Sequence, residues 1–340
     1  MADLKNTTIN DTGFIRMPTG TTAQRPSSPT AGMFRYNTDI AANEFYNGSN
    51  WIPVSPAGGL GATSTGGSIT NSGGFRIHTF TSGTDTFVPG RTGVVEVLTI
   101  SGGGGGHSIS GGGGAGGYIY TAGVPVVGGD SYPISIGTGG VGCSSHSANN
   151  ATGGNPTVFG SGNPVGWTVV GGARGRHYPP GPSDTGGSGG GGPGWGGGPQ
   201  TFHSGSPGTA GQGHPGGIGV HYNGTPTGTH YGGGGGGGAG TRGYNRHSRS
   251  SQARGGEGMA SNITGSSVYR AGGGGGGYHS PSHGAASLSG RGSTGSTLPG
   301  QNGLPGGTNN GGGGGGGPYN PEPQGGGPGG PGIVVIRYRT

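Results

Sequence analysis

Eleven histidines and thirteen tyrosines are the chain's main stock of hydrogen-bonding rings. Several stand side by side, as His177-Tyr178, His221-Tyr222, His230-Tyr231 and Tyr278-His279. An aromatic ring can stack on the apolar face of a sugar and an imidazole supplies hydrogen bonds, so these pairs fit a glycan- or receptor-binding surface. The competing role is structural, with the rings capping and covering a scaffold. Tyr244-Asn-Arg-His247, with Arg249 close behind, combines aromatic and cationic groups. It suits an anionic surface polysaccharide or, equally, a solvated loop. Trp195 sits inside a glycine block and reads as a packing wedge. The candidate receptor contacts are Tyr178, His203, His221, Tyr222, Tyr231, Tyr244, Arg246, His247, Tyr278 and His279.

Catalytic chemistry is poorly supplied. The chain has ten carboxylates, and none is paired with another at a spacing that suggests a cleft. Serine, histidine and aspartate all occur, but in a chain with eleven histidines their co-occurrence says nothing. Gly-x-Gly-x-x-Gly matches arise automatically from glycine blocks and carry no phosphate-binding signal here. His177, His203, His214, His221 and His230 show no metal-ligand spacing. Cys143 is the sole cysteine, so neither an intrachain disulfide nor a cysteine-based zinc site can form. The expectation is a non-enzymatic protein with no cofactor and no metal.

The elements that must position these residues are unusual. Of 340 residues, 100 are glycine, 25% are hydrophobic and 8% are charged. An average soluble domain is about 45–50% apolar and about 25% charged. An ordinary large apolar core is therefore excluded. So is a helical protein, because each interior glycine costs a helix roughly 1 kcal/mol against alanine. Collagen is excluded because the glycines come in blocks rather than at every third position. No apolar run approaches the ~20 residues of a membrane-spanning helix. A Gly/Ser-rich chain is usually a flexible linker, but disordered chains tend to be rich in charge, and this one is not. The net charge of +6 is thinly spread, and a single Arg-Gly-Gly at 254–256 is no nucleic-acid module.

Along the chain, residues 1–56 have mixed composition and few glycines. Strands are predicted at 32–37 and 44–46, then an Asn47-Gly48 hairpin turn and a strand at 51–54. So small a unit is expected to attach to a partner or to copies of itself through Met33, Phe34, Tyr36, Phe45, Tyr46 and Trp51. Residues 57–74 read as a linker. Residues 75–172 hold most of the strand signal, at 75–80, 86–88, 94–100, 118–120, 132–136 and 167–170. The apolar run 333–338 is predicted to return and pair with the strands of 75–136 in a buried central position.

Residues 173–332 alternate glycine blocks with variable stretches near 199–231, 239–271, 278–310 and 318–324. The three longest blocks start at 232, 272 and 311, about 40 residues apart. A glycine run can order as a polyproline II helix, and seven residues then span roughly 22 Å. That helix has no internal hydrogen bonds, so its N–H and C=O groups are free to pair with close neighbours. The predicted fold is mainly β with extensive irregular and polyproline II structure and almost no α-helix. A small β-module carries an inserted polyglycine-helix lattice, closed at its base by residues 333–340. Variable loops between fixed block ends would separate recognition from scaffold.

Two stretches resemble bacteriophage tail-fibre proteins. One is Met17-Pro-Thr-Gly-Thr-Thr-Ala-Gln-Arg-Pro-Ser-Ser-Pro-Thr-Ala-Gly-Met-Phe-Arg-Tyr-Asn37, continuing to Glu44-Phe-Tyr-Asn-Gly-Ser-Asn-Trp51. The other comprises Phe87-Val-Pro-Gly90, Val94–Ile100, the glycine blocks, Gly117-Tyr-Ile-Tyr-Thr121 and Gly332–Tyr338, and is similar to the glycine-rich domain of tail fibres and adhesins. The resemblance implies a structural virion protein that meets a host cell-surface glycan or protein. It also implies a homo-oligomer, trimeric in many members and monomeric in some tip adhesins, joined to other tail or neck proteins. Unlike long-fibre members, this chain is short and has no coiled-coil or β-helical shaft. The start Met1-Ala-Asp-Leu-Lys lacks a signal-peptide core, which fits synthesis in a host cytoplasm and action outside it. A bacterial extracellular glycine-rich filament is the other reading. An RNA-binding role is disfavoured by scarce arginine.

Overall fold

The computed structural model describes residues 16–40, 42–54, 60, 63–145, 149–177, 184–196, 200–222, 230–246, 253–278, 301–318 and 324–339, excluding the side chains of residues 222 and 230. Among them the sole helical element is a three-residue 3-10 turn, Thr22–Gln24. Among the described residues no helix is long and apolar enough to cross a membrane.

The N-terminal unit is a four-stranded sheet in the order β1 (Thr19–Gly20), β2 (Phe34–Asn37), β3 (Ala42–Tyr46) and β4 (Trp51–Pro53), with β1 parallel to β2. The predicted two-residue Asn-Gly turn is instead a four-residue loop. The Asn47 side chain organises it by accepting from the Ser49 and Asn50 amides, and Gly48 sits at φ 101°.

The β-module begins inside the predicted linker. β5 (Ser68–Ser72) is an edge strand, and Leu60 is buried in the core, so 57–74 is partly built into the fold. The module continues with β6 (Phe75–Phe80), β7 (Thr84–Phe87), β8 (Gly93–Ile100), β9 (Tyr118–Val126), β10 (Tyr132–Ser135), β11 (Thr157–Phe159) and β12 (Trp167–Val169). Two small sheets follow, β13 (Thr201–His203), β14 (Gly219–Tyr222) and β15 (His230–Gly232), then β16 (Met259–Ser261) and β17 (Val268–Arg270). The chain ends in β18 (Ile333–Arg339).

As its apolar run predicts, β18 lies between β6 and β8 in the five-stranded order β5-β6-β18-β8-β9. Its side chains alternate between two cores, which is why both parities are apolar. Val334, Ile336 and Tyr338 pack with Phe87, Tyr132, Ile134 and Phe159 of the second sheet, β12-β11-β10-β7. Ile333 and Val335 face the other way, onto Ala115, Ala239, Ala271 and Ile263. Lattice and sandwich thus share one central sheet.

The glycine runs form a lattice whose hydrogen bonds repeat every third residue. In run 102–107, the amides of Gly102 and Gly105 donate to Asn155 and Thr152, those of Gly103 and Gly106 to Gly330 and Gly327, and those of Gly104 and His107 to Gly114 and Gly111. The carbonyls of the same pairs accept from Gly172 and Gly175, from Gly140 and Cys143, and from Gly314 and Gly317. A three-residue turn with no internal bond is the polyproline II helix. Its three donor and three acceptor directions give six neighbours, three antiparallel and three parallel. Runs 111–117 and 232–238 are likewise surrounded by six runs of this chain. These three runs need no second chain to complete their shells.

The lattice does not respect the expected division at residue 172. Runs 102–107, 111–117 and 137–143 belong to it as fully as the later blocks. It is fed by excursions from the sandwich between β8 and β9, β10 and β11, and β12 and β18. Nor are 199–231 and 239–271 simply loops. Run 213–217 donates into the lattice, run 253–257 does the same, and the turn between β16 and β17 buries Ile263 completely.

Candidate functional site at the far end of the lattice

Bond polarity places one end of every run against the sandwich and the other away from it. Ile100, Tyr118, Ser135, Val169 and Ile333 mark the sandwich end, since strands meet runs there. At the opposite end, parallel pairing aligns His107 with Cys143, Gly175 and Gly317. Antiparallel pairing sets Gly277 and Gly192 against Gly233 and Gly234, so Trp195 and Tyr278 reach that end beside Tyr231. The chain leaves the lattice there after Cys143, His177, Trp195, Tyr222, Arg246, Tyr278 and Pro318. Among the described candidates His203, His221, Tyr231 and Tyr278 therefore converge on one end, although about 75 residues of sequence separate the first from the last.

The best-formed cluster is built on β13–β15. The register Thr201↔His221↔Tyr231 puts these side chains on one face, with His203 two residues along from Thr201. Trp195 closes over them, with its ring centroid 4.4 Å from Tyr231 and 6.2 Å from His221, and His221 is 4.7 Å from Tyr231. Gly196, at φ 97°, turns the chain so that its carbonyl accepts from Thr201 Oγ1 at 2.9 Å, His203 Nε2 at 3.0 Å and His221 Nδ1 at 3.1 Å. Gly194 is pressed against the Gly232 backbone with no room for a Cβ, which fixes Trp195 beside β15. Trp195 was expected to be a packing wedge, yet it is 39% exposed.

A model of the glycine-rich domain matches residues 79–339. The chain belongs to the glycine-rich domain family. No curated protein matches it. In this glycine-rich domain, the matched span takes in the sandwich from the end of β6, the whole lattice and the returning β18.

The other candidates divide. Arg246 and Tyr278 are buried, at 5% and 1% exposure. The Arg246 side chain lies on the Gly232 backbone, and burial brings its guanidinium down to about 10, still cationic at neutral pH. Burial likewise raises the Tyr278 hydroxyl above its ordinary range. Both pack the lattice end and present nothing to a receptor in this conformation. Their short spacing from glycine blocks gave no sign of this, because an exposed and a buried ring look alike beside glycine. Tyr244 is exposed, but on the flank: its carbonyl accepts from Gly235, midway along run 232–238. With Thr241, Arg242 and Asn245 it borders a shallow cavity of about 350 Å³. Tyr178, His247 and His279 lie outside the described residues, as does the side chain of Tyr222. Among the described residues no three His, Cys, Asp or Glu side chains form a metal-binding group.

The N-terminal candidates split between two faces of one sheet. Phe34, Phe45 and Ile52 pair across three strands, with Tyr36 two residues from Phe34 on the same side. Met33, Phe34 and Phe45 are 38%, 39% and 37% exposed. The opposite face buries charge. Glu44 is fully buried and pairs with Arg25 at 2.6 Å and Arg35 at 3.5 Å, and it accepts from Asn37 Nδ2 at 3.2 Å. Trp51 lies over both guanidiniums, with Tyr46 beside it. Tyr46 and Trp51 therefore serve this internal network, while Phe34, Tyr36 and Phe45 form the apolar outer face, with Met33 exposed just before β2.

Proposed function

We propose that this chain is a non-enzymatic virion protein, a phage tail-fibre or adhesin subunit that binds a host cell-surface glycan or protein. One observation supports the reading above others: Trp195, His203, His221 and Tyr231 gather at the end of the lattice opposite the sandwich, where the chain leaves it after Cys143, His177, Trp195, Tyr222, Arg246, Tyr278 and Pro318. A scaffold held by backbone bonds keeps its geometry whatever sequence the departing segments carry. The N-terminal sheet, with its outer face of Phe34, Tyr36 and Phe45 and the exposed Met33 at its edge, would join sister chains or a tail or neck protein. Several copies would then turn weak loop contacts into avidity.

The test is exchange of segments 247–252 and 279–300 with those of a relative, leaving β16–β17 and run 253–257 in place. The expected result is a changed range of bacterial strains bound, with unchanged thermal unfolding. Identical adsorption by every exchange would overturn the proposal.

A further inference from the structure

The cluster around Trp195 carries an inference about the ligand, and it rests on the adhesin reading. A carbonyl only accepts, so His203 Nε2 and His221 Nδ1 both carry hydrogen where they meet the Gly196 oxygen. In the neutral imidazole of His221 the other nitrogen, Nε2, is then an acceptor. That atom is buried among the rings and has no hydrogen-bond partner. His221 itself is 6% exposed, stacked at 10° to the indole plane. Buried polar atoms are normally satisfied, so an unfilled acceptor beside a part-exposed tryptophan points to a missing donor. Trp195, Thr201, His203, His221 and Tyr231 bear no fixed charge, and the neighbouring Arg246 is buried beneath the Gly232 backbone.

We propose that Trp195, flanked by Tyr231 and His221, binds an uncharged pyranose. The indole face carries the negative side of its quadrupole and attracts the slightly positive C–H face of a sugar ring. A sugar hydroxyl donates to His221 Nε2, which is covered in the free protein, so binding parts the rings around it. Fixing both imidazole tautomers on one carbonyl holds that acceptor ready before the ligand arrives. The five cluster side chains offer an anionic sugar no fixed cation, and the nearby Arg176 guanidinium is directed to the Ser204 carbonyl.

The experiment uses the full-length protein and saturation-transfer NMR with methyl β-galactopyranoside, methyl β-glucopyranoside, methyl α-mannopyranoside and N-acetylglucosamine as probes, and glucuronate as the anionic control. At least one neutral probe is expected to bind, and more tightly than glucuronate. Trp195→Ala should weaken it about tenfold or more, the loss of one aromatic stacking partner. Trp195→Phe should retain part of the affinity. Phe202→Ala, which removes a 58%-exposed ring from the opposite face of β13, should leave it within about twofold. If Trp195→Ala does not fold, the wild-type protein decides: the bound sugar must protect Trp195 from N-bromosuccinimide oxidation, read by peptide mass spectrometry. No binding by any neutral probe, equal binding by Trp195→Ala, or unprotected Trp195 would overturn the proposal. Labelled protein on a panel of bacterial strains separates the two claims. Adsorption without sugar binding removes the pyranose site alone, and sugar binding without adsorption removes the adhesin reading alone.

Discussion

Gly113 shows why this lattice must be glycine. Its amide donates to Gly314 at 2.8 Å, its carbonyl accepts from Gly274 at 2.9 Å, and a Cβ would overlap the Gly104 carbonyl oxygen. The obstacle is backbone, which no rotamer change can move. Gly113→Ala is therefore expected to cost more than the about 1–3 kcal/mol of ordinary overpacking. Gly73→Ala, in the β5–β6 turn at φ 56° with open space around it, should pay only a dihedral penalty of about 1–2 kcal/mol. Thermal unfolding of the two variants checks the order. His78 gives a second prediction at this scale. It is fully buried, bonded through Nδ1 to the Gly66 carbonyl and through Nε2 to the Tyr338 hydroxyl, and flanked by Phe87 and Arg76. Burial lowers its pKa below the usual 6.5, with Arg76 adding to the effect and the Gly66 bond opposing it. The folded state then binds fewer protons than the unfolded one below pH 6.5. Stability is full above that value and is lost as pH falls through the folded pKa. Denaturant melts at a series of pH values should show this fall, and His78→Gln should flatten it.

At the scale of elements, β18 and the N-terminal sheet follow opposite rules. β18 hides two apolar faces, so either parity of substitution reaches a core. Ile336→Ala opens the sandwich core and Val335→Ala the interface with the lattice; both side chains have no exposed surface. Ile336→Ala is expected to destabilise by about 2–5 kcal/mol, measured by equilibrium unfolding. The N-terminal sheet instead turns charge inward. Removing Glu44 leaves Arg35, 7% exposed at its side chain, buried without its carboxylate. Breaking such a pair costs about 3–5 kcal/mol, whereas an exposed one costs about 1 or less. Glu44→Ala should therefore release Trp51 fluorescence and local protease resistance, while Asp184→Ala, facing Arg174 at the surface, should not alter stability measurably.

The whole molecule joins a side-chain core to a backbone core. Ala115, Ala239 and Ala271 mark the seam, where run meets sheet and a single Cβ fits. Beyond it, cohesion comes from amide–carbonyl pairs, each worth about 0.5–1.5 kcal/mol net. Three central runs complete their shells within one chain, so the interior of the lattice draws its bonds from this chain alone. Oligomerisation, if it follows the apolar outer face of the N-terminal sheet, is separable from it. Phe34→Lys with Phe45→Lys is expected to give monomers by sedimentation with the main unfolding transition unchanged.

The β-module was legible in the residues: β6, β8 and β18 fall within a residue or two of their apolar runs. Block lengths and the three-residue period of polyproline II were enough to predict a lattice. Sequence alone could not say which runs are neighbours, because glycine has no side chain to encode a partner. Nor could it separate Trp195 from Tyr278, since both rings border glycine blocks and only the packing of other runs exposes one and buries the other. The inverted N-terminal sheet was hidden for a related reason. Alternation shows that two faces differ, but the Arg25 and Arg35 contacts to Glu44, drawn from 19 and 9 residues away, decide which face is inside. Composition and periodicity determined what kind of core this chain can have. Tertiary contact decided which of its rings, cations and apolar faces are left for a partner.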